Sequence, residues 1–300
     1  MKTIFRISVF FSTFLLYSAA YSQLETIRPA LQNVTSGFTG RVGIAAIDLQ
    51  NGDTITINNN HHYPMQSVFK FPIALAVMHD VEKEKLSLTQ TVRLNDKNLL
   101  PNTWSPLREK YQNKNIDVTL DEILNSTVSL SDNNGCDILL QLLGGTAVVE
   151  RYIHSLGIHN IAITATEAEM HKAWNVQYNN YSTPYAMASL FKKFYQDSLF
   201  SAQSTKYLWN ILVNTQTGIN RLRKKLPSGS VIGHKTGSSD VNEEGIAAAT
   251  NDAGIIILPN GKKFAIAVFV SDSKESEQRR EEIIAETAGI VSGFYMKVIK

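Results

Sequence analysis

Ser67 and Lys70, in the stretch HHYPMQSVFKFPIALAVM (residues 61–78), place a hydroxyl and an ammonium three residues apart. On a helix such residues share a face, with Cβ atoms roughly 5–6 Å apart. A desolvated lysine there can take the hydroxyl proton and make the serine a nucleophile. A helix start also favours the negative charge that develops on an attacked carbonyl. The spacing alone does not choose the site, because Ser189–Lys192 and Ser271–Lys274 repeat it. Ser189 falls inside an expected helix, and Ser271 at an expected strand end in a charged, solvated stretch. Ser67 instead follows Pro64 and opens the apolar run FPIALAVM. Two tripeptides add polar chemistry: Ser131-Asp132-Asn133 after an expected helix, and Lys235-Thr236-Gly237 on an expected strand. The seven histidines show no metal-ligand spacing. His61-His62 lacks a third ligand and His234 only flanks Lys235, so neither metal nor cofactor is expected.

Those residues need elements to hold them. LETIRPALQNV reads as an amphipathic helix, and GRVGIAAIDLQNGDTITIN as two strands around the turn Asn51-Gly52. From Ser67 to about Thr215 the pattern is helical. Thr119 with Glu122 reads as a capping box, Gly144-Gly145 as a helix stop, and Thr183-Pro184 as a helix start. Strands return as SVIGHKTG, GIAAATNDAGIIIL and KKFAIAVFV, before a closing amphipathic helix. The expected fold is α/β (α+β): an antiparallel sheet built from both chain ends, flanked by helices, with an inserted all-helical domain. Residues 23–66 and 216–300 would form the sheet domain and residues 67–215 the helical one. The groove between them is the expected site.

Residues 1–22 read as a secretory signal peptide, with Lys2 and Arg6 ahead of an apolar stretch and a small-residue cut after Ser22. Removing Lys2 and Arg6 leaves 27 basic against 27 acidic side chains. That balance argues against a nucleic-acid surface or a polybasic membrane contact. No later stretch reaches the ~18 apolar residues of a membrane span. A periplasmic or secreted bacterial monomer is expected, with no membrane contact after cleavage. Cys136 is the single cysteine. It is read as a buried small hydrophobe in CDILLQLL, and stability must come from the core.

Ser-x-x-Lys, Ser-Asp-Asn and Lys-Thr-Gly in this order form the signature of penicillin-recognising serine enzymes. Across nearly its whole mature length the chain resembles the class A serine β-lactamases. The resemblance implies hydrolysis of β-lactams through an acyl-enzyme on Ser67, assisted by Lys70. Ser131 would relay a proton to the lactam nitrogen. Asn133 would bond the substrate's side-chain amide, and Lys235 and Thr236 its carboxylate. The amides of Ser67 and Ser238, the latter after Gly237, would form the oxyanion hole. Trp104 would stand at the groove's edge. In TATEAEMHKAWN, Glu167 and Glu169 compete as the water-activating base, and the resemblance, counted back from Pro184, selects Glu167.

Departures from the family pattern matter too. Ala165 and Asn180 occupy the positions of an arginine–aspartate pair that commonly closes this loop. His171 and Asp137 replace asparagines, and Asp137 would lie near Glu167, where two carboxyls in a dry site share a proton. Glu244 replaces an arginine whose guanidinium Arg221 would supply from another direction. These features look like the PER/VEB-type branch, associated with a widened site and oxyimino-cephalosporin hydrolysis. Two other readings remain: a D-alanyl-D-alanine carboxypeptidase of the penicillin-binding type, and a sensor that stays acylated. The first should lack the water-activating glutamate, and the second needs a transmembrane signalling segment.

Overall fold

The computed structural model describes residues 27–112 and 115–297, so the signal-peptide reading lies outside the described residues. Strands β1 (Arg41–Asp48), β2 (Thr54–Ile57), β8 (Val231–Ser238), β9 (Ala247–Ile257) and β10 (Lys263–Ser273) form one antiparallel sheet. Its order is β2-β1-β10-β9-β8, so the two chain ends join in one sheet through the β1–β10 pair, as expected. The three central strands are buried on both faces, which is why they read as nearly continuous apolar runs. The alternation survives within them. Ile44, Ala46, Ile266 and Val268 point to one core, with Leu31 of helix α1 (residues 27–35) and Ile283 and Val291 of α10 (Glu277–Lys297). Ala45, Ile47, Ala267 and Phe269 point to the other, against the helical region.

That second core runs without a break from the sheet into the helices. α8 (Pro184–Gln196) packs on β1, β9 and β10, and α9 (Ala202–Val213) on β8. Beyond them lie α2 (Lys70–Glu82), α3 (Pro106–Tyr111), α4 (Leu120–Ser129), α5 (Asn133–Leu143) and α6 (Thr146–Ser155). Cys136 is fully buried among them, and burial pushes its thiol pKa well above the usual value. Gly144, left-handed at φ 89°, stops α5, and Thr183 caps α8 ahead of Pro184.

One cap differs from expectation. The Thr119 side chain accepts from Glu122 N, but the Glu122 carboxylate turns to Lys110 Nζ and Tyr111 Oη, each at 2.7 Å. An ammonium and a phenol take this carboxylate in place of the backbone amide of Thr119, the last residue of a strand. That strand, β5 (Ile116–Thr119), pairs with β4 (Thr91–Leu94), a small sheet the sequence pattern did not reveal.

A third sheet, of two-residue strands, matters for the site. β7 (Tyr181–Ser182) lies between β3 (Tyr63–Pro64) and β6 (Ile161–Ala162). It ties both ends of the loop 163–180 together, and ties them to the chain just before Ser67. Met65 N continues the stitching by donating to Asn180 O at 2.8 Å.

Candidate active site

Ser67 lies in a 3-10 helix (Gln66–Phe69) that runs into α2, so it stands one turn before Lys70, as its spacing requires. Gln66, just ahead of it, is left-handed at φ 47°. Its Nε2 is held by the side-chain oxygen of Gln177 in loop 163–180. A non-glycine residue pays for that conformation, and the bond from the loop helps to keep it.

Three segments converge on Lys70. Its Nζ donates to Ser67 Oγ at 2.9 Å, to the Ser131 carbonyl at 2.9 Å and to Asn133 Oδ1 at 2.5 Å. It also pairs with Glu167 Oε1 at 2.8 Å. Lys70 is fully buried and Glu167 nearly so. A buried ion pair is tolerated only when each member has further polar partners, and Lys70 has them.

Ser131 reaches this point by a left-handed turn, φ 62°. The turn aims its carbonyl at Lys70, while its Oγ accepts from Lys235 Nζ at 2.9 Å. Burial, and after it the charge of Lys70, hold Lys235 well below the usual lysine pKa. Ser131 is thus held by two amines, Lys235 at its hydroxyl and Lys70 at its carbonyl. Asp132, which sequence reasoning passed over, fixes the turn. Its carboxylate accepts from Ser105 Oγ, Leu107 N and Gly135 N, clasping the starts of α3 and α5. The Asx-x-x-Gly spacing at a helix start was the signal for it.

Gly237 explains how β8 meets the nucleophile. A Cβ there would stand 2.4 Å from Met65 O and 3.1 Å from Ser67 N. Only glycine lets the strand pass this close and carry Ser238 to the pocket beside Ser67. Thr236 Oγ1 hydrogen-bonds Thr217 Oγ1 at 2.5 Å. Arg221 lies behind the strand and is buried. Its Nη2 donates to Ser238 Oγ at 2.6 Å, its Nη1 to Gly237 O and Asn251 O, and its Nε to Glu281. Glu244 is exposed in the β8–β9 turn.

In loop 163–180, α7 (Glu167–Met170) separates the two competing glutamates. Thr166 and Glu169 form a complete capping box, with Thr166 N donating to Glu169 Oε2 at 2.8 Å. Glu169 is consumed by that cap, and Glu167 faces Lys70. Asp137, expected near Glu167, meets the backbone of this loop. Its two oxygens accept from the amides of Glu167 and Ala168, at 2.8 and 2.9 Å. Burial above all raises its pKa to about 6; the two amides pull it down, and Glu167 adds only a smaller push upward.

The groove in front of these residues holds about 810 Å³ and is lined by Ser67, Trp104, Asn133, Glu167, Ser238 and Val241, among others. Trp104 is 57% exposed at its rim, with Nε1 donating to Leu130 O. His171 also lines it and hydrogen-bonds Thr103 Oγ1 at 3.1 Å. Thr103, likewise unforeseen, accepts from Asn133 Nδ2 at 2.8 Å and so joins the loop to the Ser131–Asn133 turn. The rejected pairs lie elsewhere: Ser189 inside α8, and Ser271 in β10, buried rather than solvated.

The arrangement can acylate a serine, relay a proton and activate a water. The comparisons with known proteins agree with it. A family model described as the beta-lactamase enzyme family matches residues 26–295. Beta-lactamase VEB-1 of Pseudomonas aeruginosa is 44% identical, covering 97% of this chain and 96% of that protein. The extended-spectrum beta-lactamase PER-1 of the same organism is 40% identical, covering 99% and 97%. The crystal structure of the TLA-1 extended-spectrum beta-lactamase superposes with a TM-score of 0.89 at 49% identity, covering 91% of this chain and 99% of that one.

Proposed function

The chain belongs to the beta-lactamase enzyme family, and as a class A serine β-lactamase it hydrolyses β-lactams; from that premise we propose how its residues divide the reaction. Ser67 Oγ attacks the lactam carbonyl and gives its proton to the amine of Lys70, and Glu167, 2.8 Å beyond Lys70, serves the second half of the reaction. The amides of Ser67 and Ser238 receive the oxyanion. As the carbon–nitrogen bond breaks, Ser131 protonates the nitrogen and is resupplied by Lys70 or Lys235. Glu167 then takes a proton from water, which attacks the ester and releases Ser67. Asn133 holds the substrate's side-chain amide, while Lys235 and Thr236 hold its carboxylate. The observation that carries this reading is Lys70 Nζ, within 2.9 Å of the nucleophile and 2.8 Å of the base.

The wide groove between Trp104 and Val241 supports bulky oxyimino-cephalosporins as substrates, in line with the extended-spectrum relatives. We place the protein in the periplasm or outside the cell, after removal of residues 1–22. Among the described residues no helix is long and apolar enough to cross a membrane.

Glu167→Ala tests the division of labour. Ser67, Lys70 and Ser131 remain, so the ester should form. Its hydrolysis should slow by about 10²–10⁴-fold, the usual worth of a general base. Intact-mass spectrometry with a cephalosporin should show a persistent adduct on Ser67. Free turnover by that variant, with the adduct appearing in Glu169→Ala instead, would reverse the assignment.

A further inference from the structure

Glu167 has two faces. One looks into the substrate groove. The other looks into a second cavity of about 300 Å³, whose walls include Leu100, Pro101, Asn134, Asp137 and Ala168. Asn102, Thr103, Asn133, His171 and Glu167 line both spaces and so form the partition between them. The partition is hydrogen-bonded through one hydroxyl, since Thr103 Oγ1 meets both Asn133 Nδ2 and His171 Nε2. The outer wall of the second cavity is exposed at Leu100, Pro101, Asn102 and His171, whereas Asn134 and Glu167 at its inner end are buried. It therefore leads from the surface to the back of the Glu167 carboxylate. Its volume is far above the ~10–15 Å³ that one water needs, and its lining offers the polar partners that water requires.

We propose that this second cavity is the path by which the hydrolytic water reaches Glu167 while the acyl group fills the groove. The inference rests on Glu167 being the base. An acylated Ser67 carries a bulky group into the groove that Ser67 and Glu167 both line. The cavity behind stays open, and a water can reach Glu167 without the acyl group moving. Ala168 and Leu100 line that cavity and not the groove. They control its bore and hold no part of the substrate.

The test changes the bore at two residues: Ala168→Gly widens the passage, and Ala168→Val, Ala168→Leu and Leu100→Trp narrow it. Acylation rates should stay near wild type. Deacylation should fall with the size of the plug, by about tenfold for the largest, and kcat and KM should fall together so that kcat/KM is kept. A second readout separates access from a displaced Glu167. Methanol can replace water as the nucleophile, giving the methyl ester of the opened lactam. A narrowed passage should exclude methanol more than water, so the ester-to-acid product ratio should drop in the plugged variants. A slowed deacylation with an unchanged ratio would mean that the plugs merely move Glu167, and would overturn the proposal. So would wild-type deacylation in both correctly folded plugs, given that Glu167→Ala traps the ester. If Glu167→Ala fails to trap it, the base assignment has failed, and the proposal falls with it.

Discussion

The side chain of Asn180 closes on the backbone of Ala165 from both ends: its Oδ1 accepts from Ala165 N at 2.9 Å and its Nδ2 donates to Ala165 O at 2.7 Å. A third bond, from Thr164 N to Oδ1 at 2.8 Å, completes the clasp. These two positions carry no opposite charges, yet the loop bearing Glu167 is closed. A buried neutral amide that satisfies three backbone groups avoids the desolvation cost of a buried ion pair.

Asn180→Ala should therefore open the loop. Asn180 is fully buried, and its removal strands three backbone groups. A cost of about 1–3 kcal/mol per unsatisfied group makes a loss of several kcal/mol the expectation. Thermal unfolding and deacylation should both report it. Asn180→Asp tests the mechanism, because a carboxylate can accept from Thr164 N and Ala165 N but cannot donate to Ala165 O. It should fall between wild type and alanine in stability. Equal stability of all three proteins would show that the small sheet of β3, β6 and β7 closes the loop unaided.

The sequence exposed the parts of this site that depend on local spacing. Ser67 and Lys70 sit one turn apart in any helix, and Ser131 and Lys235 are marked by their tripeptides. The alternation of Ile44, Ala45, Ala46 and Ile47 between two cores was readable as a strand, though not which face met which helices. What stayed hidden depends on contacts across the chain. Nothing near Glu169 said that its carboxylate would turn back to Thr166 and leave Glu167 to Lys70; only the Thr-x-x-Glu spacing hinted at it. Thr103 gave no signal, because its role exists only once the loop brings His171 beside it. Asn180 was legible as a missing charge but not as a replacement for it.

Asp137 gives the site a pH signature. Its pKa is raised from an ordinary 3.8 to about 6, mainly by burial. A raised carboxyl pKa means that the folded state disfavours the charged form. Its contribution to stability is therefore fully present below about pH 4 and is lost as pH rises through about 6. Each unit of displacement is worth about 1.4 kcal/mol. Asp137→Asn cannot titrate. Denaturant unfolding at several pH values should show wild type losing stability relative to this variant between pH 4 and 6. A stability difference that stays flat across that window would mean an unperturbed carboxyl.

Arg221 supplies the last prediction. It was expected to meet the substrate carboxylate in place of the arginine that Glu244 replaces. It lies instead behind β8, pinning Gly237 O and Asn251 O, and its shortest bond goes to Ser238 Oγ at 2.6 Å. We propose that it acts on the substrate through Ser238, by orienting that hydroxyl and the end of the strand. Losing a charge-assisted hydrogen bond costs about 1.5–3 kcal/mol, so Arg221→Ala should lower kcat/KM by roughly 10- to 150-fold. Glu281, left without its guanidinium partner, should cost stability as well. Ser238→Ala removes the hydroxyl and leaves the guanidinium. If Arg221 works through that hydroxyl, its loss should matter little once Ser238 is alanine, and the double variant should resemble the worse single one. Additive effects in kcat/KM would show instead that the guanidinium meets the substrate directly.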